Sequence, residues 1–285
     1  MVSKDQDSRI QVVSPYSRSN AGFIKAFMEF GKEIWEFRGH IRIVFGTRFR
    51  AAYSGTGLGI VWNYVLPIIP LTVYLLLSRL RVFPDFNGVD SATFIAFGVT
   101  LWFLFTGCIQ IPIQTIQSRN IEAMKTSLPI SASIMASFAQ LSFDTLVRVC
   151  FVVCLVAFTD TIWTWKAFLL PLLIAPALFG FFGMGLCLGI LNLVYNDVSR
   201  VTSILLQYGI FISGVIFPIA NLPVLGVIND FNPFAIYIDA ARSVAFLGGL
   251  DSLMPLLSSY LGCFLIFIIA IRVFFVMEKR VRGIE

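Results

Sequence analysis

Six stretches of the chain, near residues 60–80, 92–113, 131–158, 167–194, 201–220 and 253–276, are each long and apolar enough to cross a hydrocarbon core as a helix. Crossing takes roughly 20 residues. No other feature narrows the fold so far, because lipid offers backbone N–H and C=O groups no outside partner and admits only helices or closed barrels. The composition agrees: 58% of the 285 residues are hydrophobic, 29 are phenylalanine and only 13% are charged, where soluble domains carry roughly a quarter charged residues. The expected fold is an all-α integral membrane protein with six transmembrane helices per subunit.

Orientation follows from lysine and arginine in the short flanks. Lys25, Lys32, Arg38, Arg42, Arg48 and Arg50 precede the first run; Arg119 and Lys125 follow the second, Arg200 follows the fourth, and Arg272, Lys279, Arg280 and Arg282 close the chain. The first and third loops hold only Arg79 with Arg81, and Lys166. Both termini are therefore expected in the cytoplasm, which requires an even number of spans. The net charge of +5 lies beside apolar runs rather than on one soluble surface, so it argues against nucleic acid as a partner.

Residues 1–20 are polar, without the apolar h-region of a signal peptide, and read as a flexible arm. Over residues 21–46 a different pattern begins. Phe23, Phe27, Phe30, Ile34, Phe37, Ile41 and Val44 step by four and three, with lysine, arginine and glutamate between them. That is an amphipathic helix too charged to cross a bilayer, expected along the membrane surface; a coiled coil of three heptads has the same spacing. His40, the only histidine, falls on its solvated side, which leaves histidine catalysis little to work with. Cys108, Cys150, Cys154, Cys187 and Cys263 all fall in apolar segments, away from any disulfide or zinc spacing, and no metal site is expected.

The stretch 221–249 resists assignment as one more span. It would place the basic tail outside and bring Asp230, Asp239 and Arg242 toward the midplane, at about 2.5–3.5 kcal/mol for each charge at a helix centre. Pro223 and Pro233 interrupt any single helix. A pair of short helices dipping in from the outer side and turning near Asn229–Pro233 meets both constraints, with Asp230, Asn232, Pro233, Asp239 and Arg242 as the candidate outer gate.

The glycine-rich "GTGLG" at 55–59 invites a phosphate-loop reading. Neither G-x-x-x-x-G-K-[ST] nor G-x-G-x-x-G occurs in the chain. Gly55 and Gly59 instead form a GxxxG pair suited to close helix approach, between a basic amphipathic helix and the first span. The run "GFFGMGLCLG" at 180–189 reads likewise as helix contact.

"TRFRAAYSGTGLGIVWNYVLPIIP" resembles the opening signature of the permease subunits of polysaccharide-exporting ABC transporters. The matching positions are Arg50, Tyr53, Thr56, Leu58, Gly59, Trp62 and Pro67. The likeness continues through "FIAFGVTLWFLF", "IEAMKTSLPI", "NDVSR" and "FPIANLP…NPFAIYIDAAR". The resemblance implies a homodimer in the bacterial inner membrane, bound to two copies of a cytoplasmic ATPase, with residues 47–285 as the transmembrane domain. ATP and its Mg ion belong to that partner, and no cofactor is expected in this chain. The cargo implied is a polysaccharide on an undecaprenyl-pyrophosphate lipid, such as O-antigen, capsule or teichoic acid.

Residues 118–129 are by resemblance the coupling loop that docks on the ATPase. Asn120 is placed to cap a short helix there, Glu122 near its positive end, with Ile121, Met124, Lys125 and Leu128 as docking residues. Arg48 and Arg50 lie at headgroup level, where they fit a lipid pyrophosphate and equally fit plain positive-inside anchoring. Sugars stack on aromatic faces, so Trp62, Tyr64, Tyr74, Trp102, Phe103, Tyr208, Phe211 and Phe217 are channel candidates. Asp144 and Arg148, one turn apart in the third run, read as a self-neutralising pair that stabilises its helix beside a wet path. Two rivals stay open: a secondary transporter or ATPase-independent flippase of lipid-linked sugars, for which no internal repeat is visible, and a membrane-embedded glycosyltransferase or ligase, with only Asp230, Asp239 and Asp251 as acids.

Overall fold

Apolar runs that must satisfy their own backbone fold as helices, and the computed structural model is mostly helical over its described residues, 22–51, 55–80, 82, 88–122, 129–159, 161–218, 231–250 and 253–281. Helices α1 (Phe23–Glu36) and α2 (Arg38–Ala51) precede a broken pair, α3 (Trp62–Val65) and α4 (Ile69–Arg79). Then come α5 (Ser91–Glu122), α6 (Ile130–Ala157), α7 (Leu170–Val194), α8 (Asp197–Gly209), α9 (Pro233–Arg242) and α10 (Met254–Val281). Among the described residues four helices are long and apolar enough to cross a membrane, with ends at Ser91–Ser118, Ile130–Ala157, Trp165–Val194 and Met254–Glu278. The pair Gly59–Val65 and Ile69–Arg79, bent by 47°, makes up to five.

The bend has a chemical cause. Pro67 and Pro70 lack the N–H groups that would continue the ladder to the carbonyls four residues back. The fifth expected run is helical only over α8, about 20 Å at 1.5 Å per residue, and a 3₁₀ turn to Ile212. Gly214 and Pro218 then accompany an irregular stretch, so no long helix forms there. Of the expected re-entrant pair only the second arm, α9, falls within the described residues; 219–230, including Asp230, lie outside them.

α5 is the central post. Its most apolar stretch is 83% buried inside the subunit, against 22%, 28% and 28% for the spans formed by α6, α7 and α10. Asp90 caps it, its Oδ2 accepting from the N–H groups of Ala92 (3.0 Å) and Thr93 (3.2 Å). Gly185 and Gly189 of α7 face the backbone of α5, and Gly180 and Gly183 face α10. The small-residue run therefore serves helix contact, as its composition indicates.

The expected single interface helix is two helices separated by Phe37, whose N–H still reaches Glu33 O at 3.0 Å. α1 docks rather than floating: Ala26 and Phe30 are buried, and the Phe30 ring meets Phe274 edge-on at 6.1 Å. Phe23, Phe27 and Trp35 stay exposed. His40 is half-buried, its Nε2 shielded and without a partner among the described residues, rather than fully solvated. Cys150 and Cys154 are exposed from the subunit with Leu146, Val149 and Val153, so they sit on the outward face of α6 rather than in its packing.

Gly55 and Gly59 meet no helix among the described residues. Among the described residues nothing lies within 4 Å of a Cβ built on either. Both have positive φ, +87° and +49°, a conformation glycine adopts without steric cost. Gly59 N–H donates to Thr56 Oγ1 and O, each at 3.1 Å. The run is a tight turn that carries the chain from α2 into the first span.

Candidate functional site

The segment between α5 and α6 is where the expected coupling residues lie. Asn120, Ile121 and Glu122 belong to the last turn of α5, so Asn120 continues a long helix instead of capping a new one. Met124, Lys125 and Leu128 lie outside the described residues. The far end of the segment is fixed by two carboxylates. Glu278 of α10, 1% exposed, accepts from Ile130 N–H at 3.3 Å, and Glu33 of α1 accepts from the Ser131 hydroxyl at 2.9 Å. Negative groups are favourable at a helix start whose N–H groups lack partners.

A second constellation lies where α2, the bend of the first span and α6 meet. Arg48 donates from Nη1 to Ser137 Oγ at 3.0 Å, and Asn63, buried, donates to Phe49 O at 2.8 Å. Asp144 accepts from Gln140 Nε2 at 2.8 Å. Arg148 Nε donates to Pro67 O at 3.1 Å and its guanidinium lies 4.7 Å from the Phe103 ring centre. The two charges still act on each other, as the sequence reading has it, but each takes its hydrogen bond elsewhere, because the helix bend offers the arginine a carbonyl. Arg48, Asn63, Pro67, Gln140, Asp144 and Arg148 line a cavity of about 320 Å³. Arg50 is exposed.

The aromatic candidates divide. Trp102 is buried, with its ring 4.9 Å from Phe234, and it edges a groove of about 570 Å³ between α5, α7 and α8. Tyr64 packs on Phe143 at 5.3 Å, Phe103 sits beneath Arg148, and Trp62, Tyr74 and Phe217 are half-buried. Tyr208 and Phe211, with Val201, Ile204 and Leu205, form a continuous exposed apolar face on and just after α8.

The gate candidates among the described residues, Asn232, Pro233, Asp239 and Arg242, gather at one stretch of backbone. Asn232 caps α9, accepting from Phe234 N–H at 3.1 Å, and its amide donates to Ile212 O (3.2 Å) and Ser213 Oγ (2.9 Å). Pro233 takes the first helical position, where its missing N–H is harmless. Arg242, 5% exposed, donates to Gly214 O at 2.5 Å, Val215 O at 2.6 Å and Phe94 O at 3.0 Å, and lies 3.5 Å from the Phe94 ring centre. Asp239 is 3.6 Å from its Nη1. The irregular backbone at 214–215 thus receives from one guanidinium the donors that a helix would have supplied. Sequence reasoning missed Asn63, Asn192, Glu278 and Gly98, whose lack of a side chain leaves room for the Arg242 guanidinium. Asn192, for instance, caps α8 through Ser199 N–H at 2.9 Å, and no periodicity marks it.

Residues 40–246, more than half of the chain, match the ABC-2 type transporter family. The O-antigen export system permease protein RfbA of Myxococcus xanthus is 22% identical over 192 residues, which cover 67% of this chain and 73% of that protein. The matched region takes in the turn at 55–59, the central post, the Asp144–Arg148 pair and the Arg242 fastening, and on that extent the chain belongs to the ABC-2 type transporter family.

Proposed function

We propose that the chain is the membrane subunit of an ATP-driven exporter that moves polysaccharide carried on an undecaprenyl-pyrophosphate lipid, O-antigen for example, across the bacterial inner membrane. In this reading it works as a homodimer with both termini in the cytoplasm, six crossings and a re-entrant gate. Two copies of a separate ATPase subunit hydrolyse the ATP. The observation that carries the reading is the similarity to an O-antigen export permease over 67% of the chain, in a sequence without a phosphate-loop pattern of its own.

The geometry gives that reading a lever. α5 is 32 residues long, about 48 Å, and its far end reaches Phe94 and the Arg242 fastening. ATP-driven closure of the partner would push the segment 118–129. The push would travel up α5 to the gate, and through Ile130 and Ser131 into α6, α10 and α1. Arg48 and Arg50 would receive the lipid headgroup, and the exposed face of Tyr208 and Phe211 would border the sugar path.

The test replaces Ile121, Met124 and Leu128 by serine. Membranes holding the variant with its ATPase should keep both subunits and go on hydrolysing ATP, while polymer reaching the outer side falls at least about tenfold. That corresponds to losing about 1.4 kcal/mol of coupling. Undiminished export by this variant removes the docking role. Export by the wild-type chain in cells lacking any ATPase partner removes the reading altogether.

A further inference from the structure

One face of α6 carries Ser133, Ser137, Gln140, Asp144 and Arg148 at steps of four, three, four and four, a polar stripe on a helix otherwise long and apolar enough to cross a membrane. From Ser137, where Arg48 docks, to Arg148 it rises about 17 Å. Polar side chains inside such a span mark functional paths by default, because lipid makes them costly. The cavity of about 320 Å³ opens along this stripe, room for about ten waters at roughly 30 Å³ each.

The donor balance of the pocket is specific. Asn63 and Gln140 each use their amide on a neighbour, and Asp144 has taken the Gln140 donor. Arg148 is only 8% exposed, and its Nη1 is buried without a partner among the described residues. What is missing is an acceptor, and with two arginines against one aspartate the pocket favours an anionic one. Guanidinium groups match phosphate oxygens in geometry and charge. Beside the pocket, Tyr64, Leu66 and Ile69 are exposed along the broken first span, a flank on which a hydrocarbon chain could lie.

We propose that this pocket binds the phosphate group of a lipid, with Arg148 as the inner donor and Arg48 at its mouth. Only the choice of a prenyl diphosphate as the lipid rests on the function proposed above. Arg148 donates from Nη1 to a phosphate oxygen while its Nε stays on Pro67 O, so the headgroup is tied to the bend of the first span. Asp144 limits the affinity by repulsion, which lets the headgroup leave again.

The test measures binding to the purified full-length chain in a phosphate-free maltoside detergent, with farnesyl diphosphate, inorganic pyrophosphate and farnesol as probes. Farnesyl diphosphate should bind and farnesol should not. Arg148→Gln should weaken binding at least about tenfold, the loss expected for one hydrogen bond to a charged group, with Arg148→Lys between. Asp144→Asn keeps the Gln140 contact and should tighten binding several-fold, an outcome that does not depend on how well an Arg148 variant folds. Much weaker binding of inorganic pyrophosphate assigns the site to a lipid headgroup; equal binding assigns the same pocket to a free anion. Affinity unchanged in both Arg148→Gln and Asp144→Asn, or farnesol binding as well as its diphosphate, overturns the proposal. Polymer export in cells is scored in parallel: export intact with Arg148-independent binding removes the pocket alone, whereas Arg148-dependent binding in a chain that exports no polymer removes the functional reading alone.

Discussion

Replacing Arg242 by alanine should lower the unfolding midpoint of the purified chain more than any exposed substitution and abolish transport. The guanidinium serves three backbone carbonyls, Gly214, Val215 and Phe94, within 2.5–3.0 Å. A buried polar group left without its partner loses about 1–3 kcal/mol; three such groups, partly relaxed by water, put the loss at roughly 3–5 kcal/mol. Lysine keeps the charge but not the planar fork, so Arg242→Lys should recover only part of it. Gly98 supplies an independent check. A Cβ there would stand 2.1 Å from Arg242 Nη2 and 2.8 Å from Val215 O, so Gly98→Ala takes the space the guanidinium needs. The two substitutions break one fastening, and their combined effect should fall well short of the sum. Thermal unfolding in detergent measures the four variants against the wild type. An Arg242→Ala midpoint equal to the wild type, or strict additivity with Gly98→Ala, contradicts this role.

How much of this was legible in one dimension depends on the range of the forces involved. The apolar runs gave the long helices, because lipid forces local backbone satisfaction. Pro67 and Pro70 mark the bend, and Asn232 with Pro233 mark the start of α9, since capping and proline effects act within a turn. Arg242 was recognisable as an unusual charge, but its partners were not. Phe94 and Arg242 are 148 positions apart, as are Ile130 and Glu278, and nothing periodic links such pairs. Asp144 and Arg148 have the right spacing for a closed pair, yet the carbonyl of Pro67 competes successfully for the arginine. Gly55 and Gly59 have the spacing of a helix contact and perform a turn, because GxxxG acts as a contact motif only on a continuous helix. Spacing identified these residues; tertiary competition decided their roles.

That distinction is sharpest for the other glycines, and it leads to a second large expected effect. Gly185→Ala should prevent normal accumulation of the folded chain. A Cβ at Gly185 would lie 2.5 Å from Ile109 O, 2.9 Å from Cys108 O and 2.9 Å from Ile109 Cα. All three are backbone atoms of the central helix α5, so no side chain can swing aside and α7 must move away bodily. Overpacking of this kind costs about 1–3 kcal/mol, occasionally more, and here it also separates every element that leans on α5. Gly262 in α10 has nothing within 4 Å of its Cβ position among the described residues; Gly262→Ala should be neutral or slightly stabilising, since alanine is favoured over glycine in a helix by about 0.5–1 kcal/mol. Gly189 separates a side-chain clash from a backbone clash. Its Cβ would meet Ile116 Cδ1 at 2.7 Å, with Ile113 Cα and Pro112 O both at 3.3 Å. Ile116→Val removes that methyl, so it should restore Gly189→Ala almost fully by exchanging one methyl for another, and should leave Gly185→Ala unrepaired. The yield of monodisperse protein after detergent extraction, with thermal unfolding of what is recovered, reads out the set. Equal tolerance of alanine at 185 and 262 would mean that α5 and α7 do not meet through backbone at Gly185.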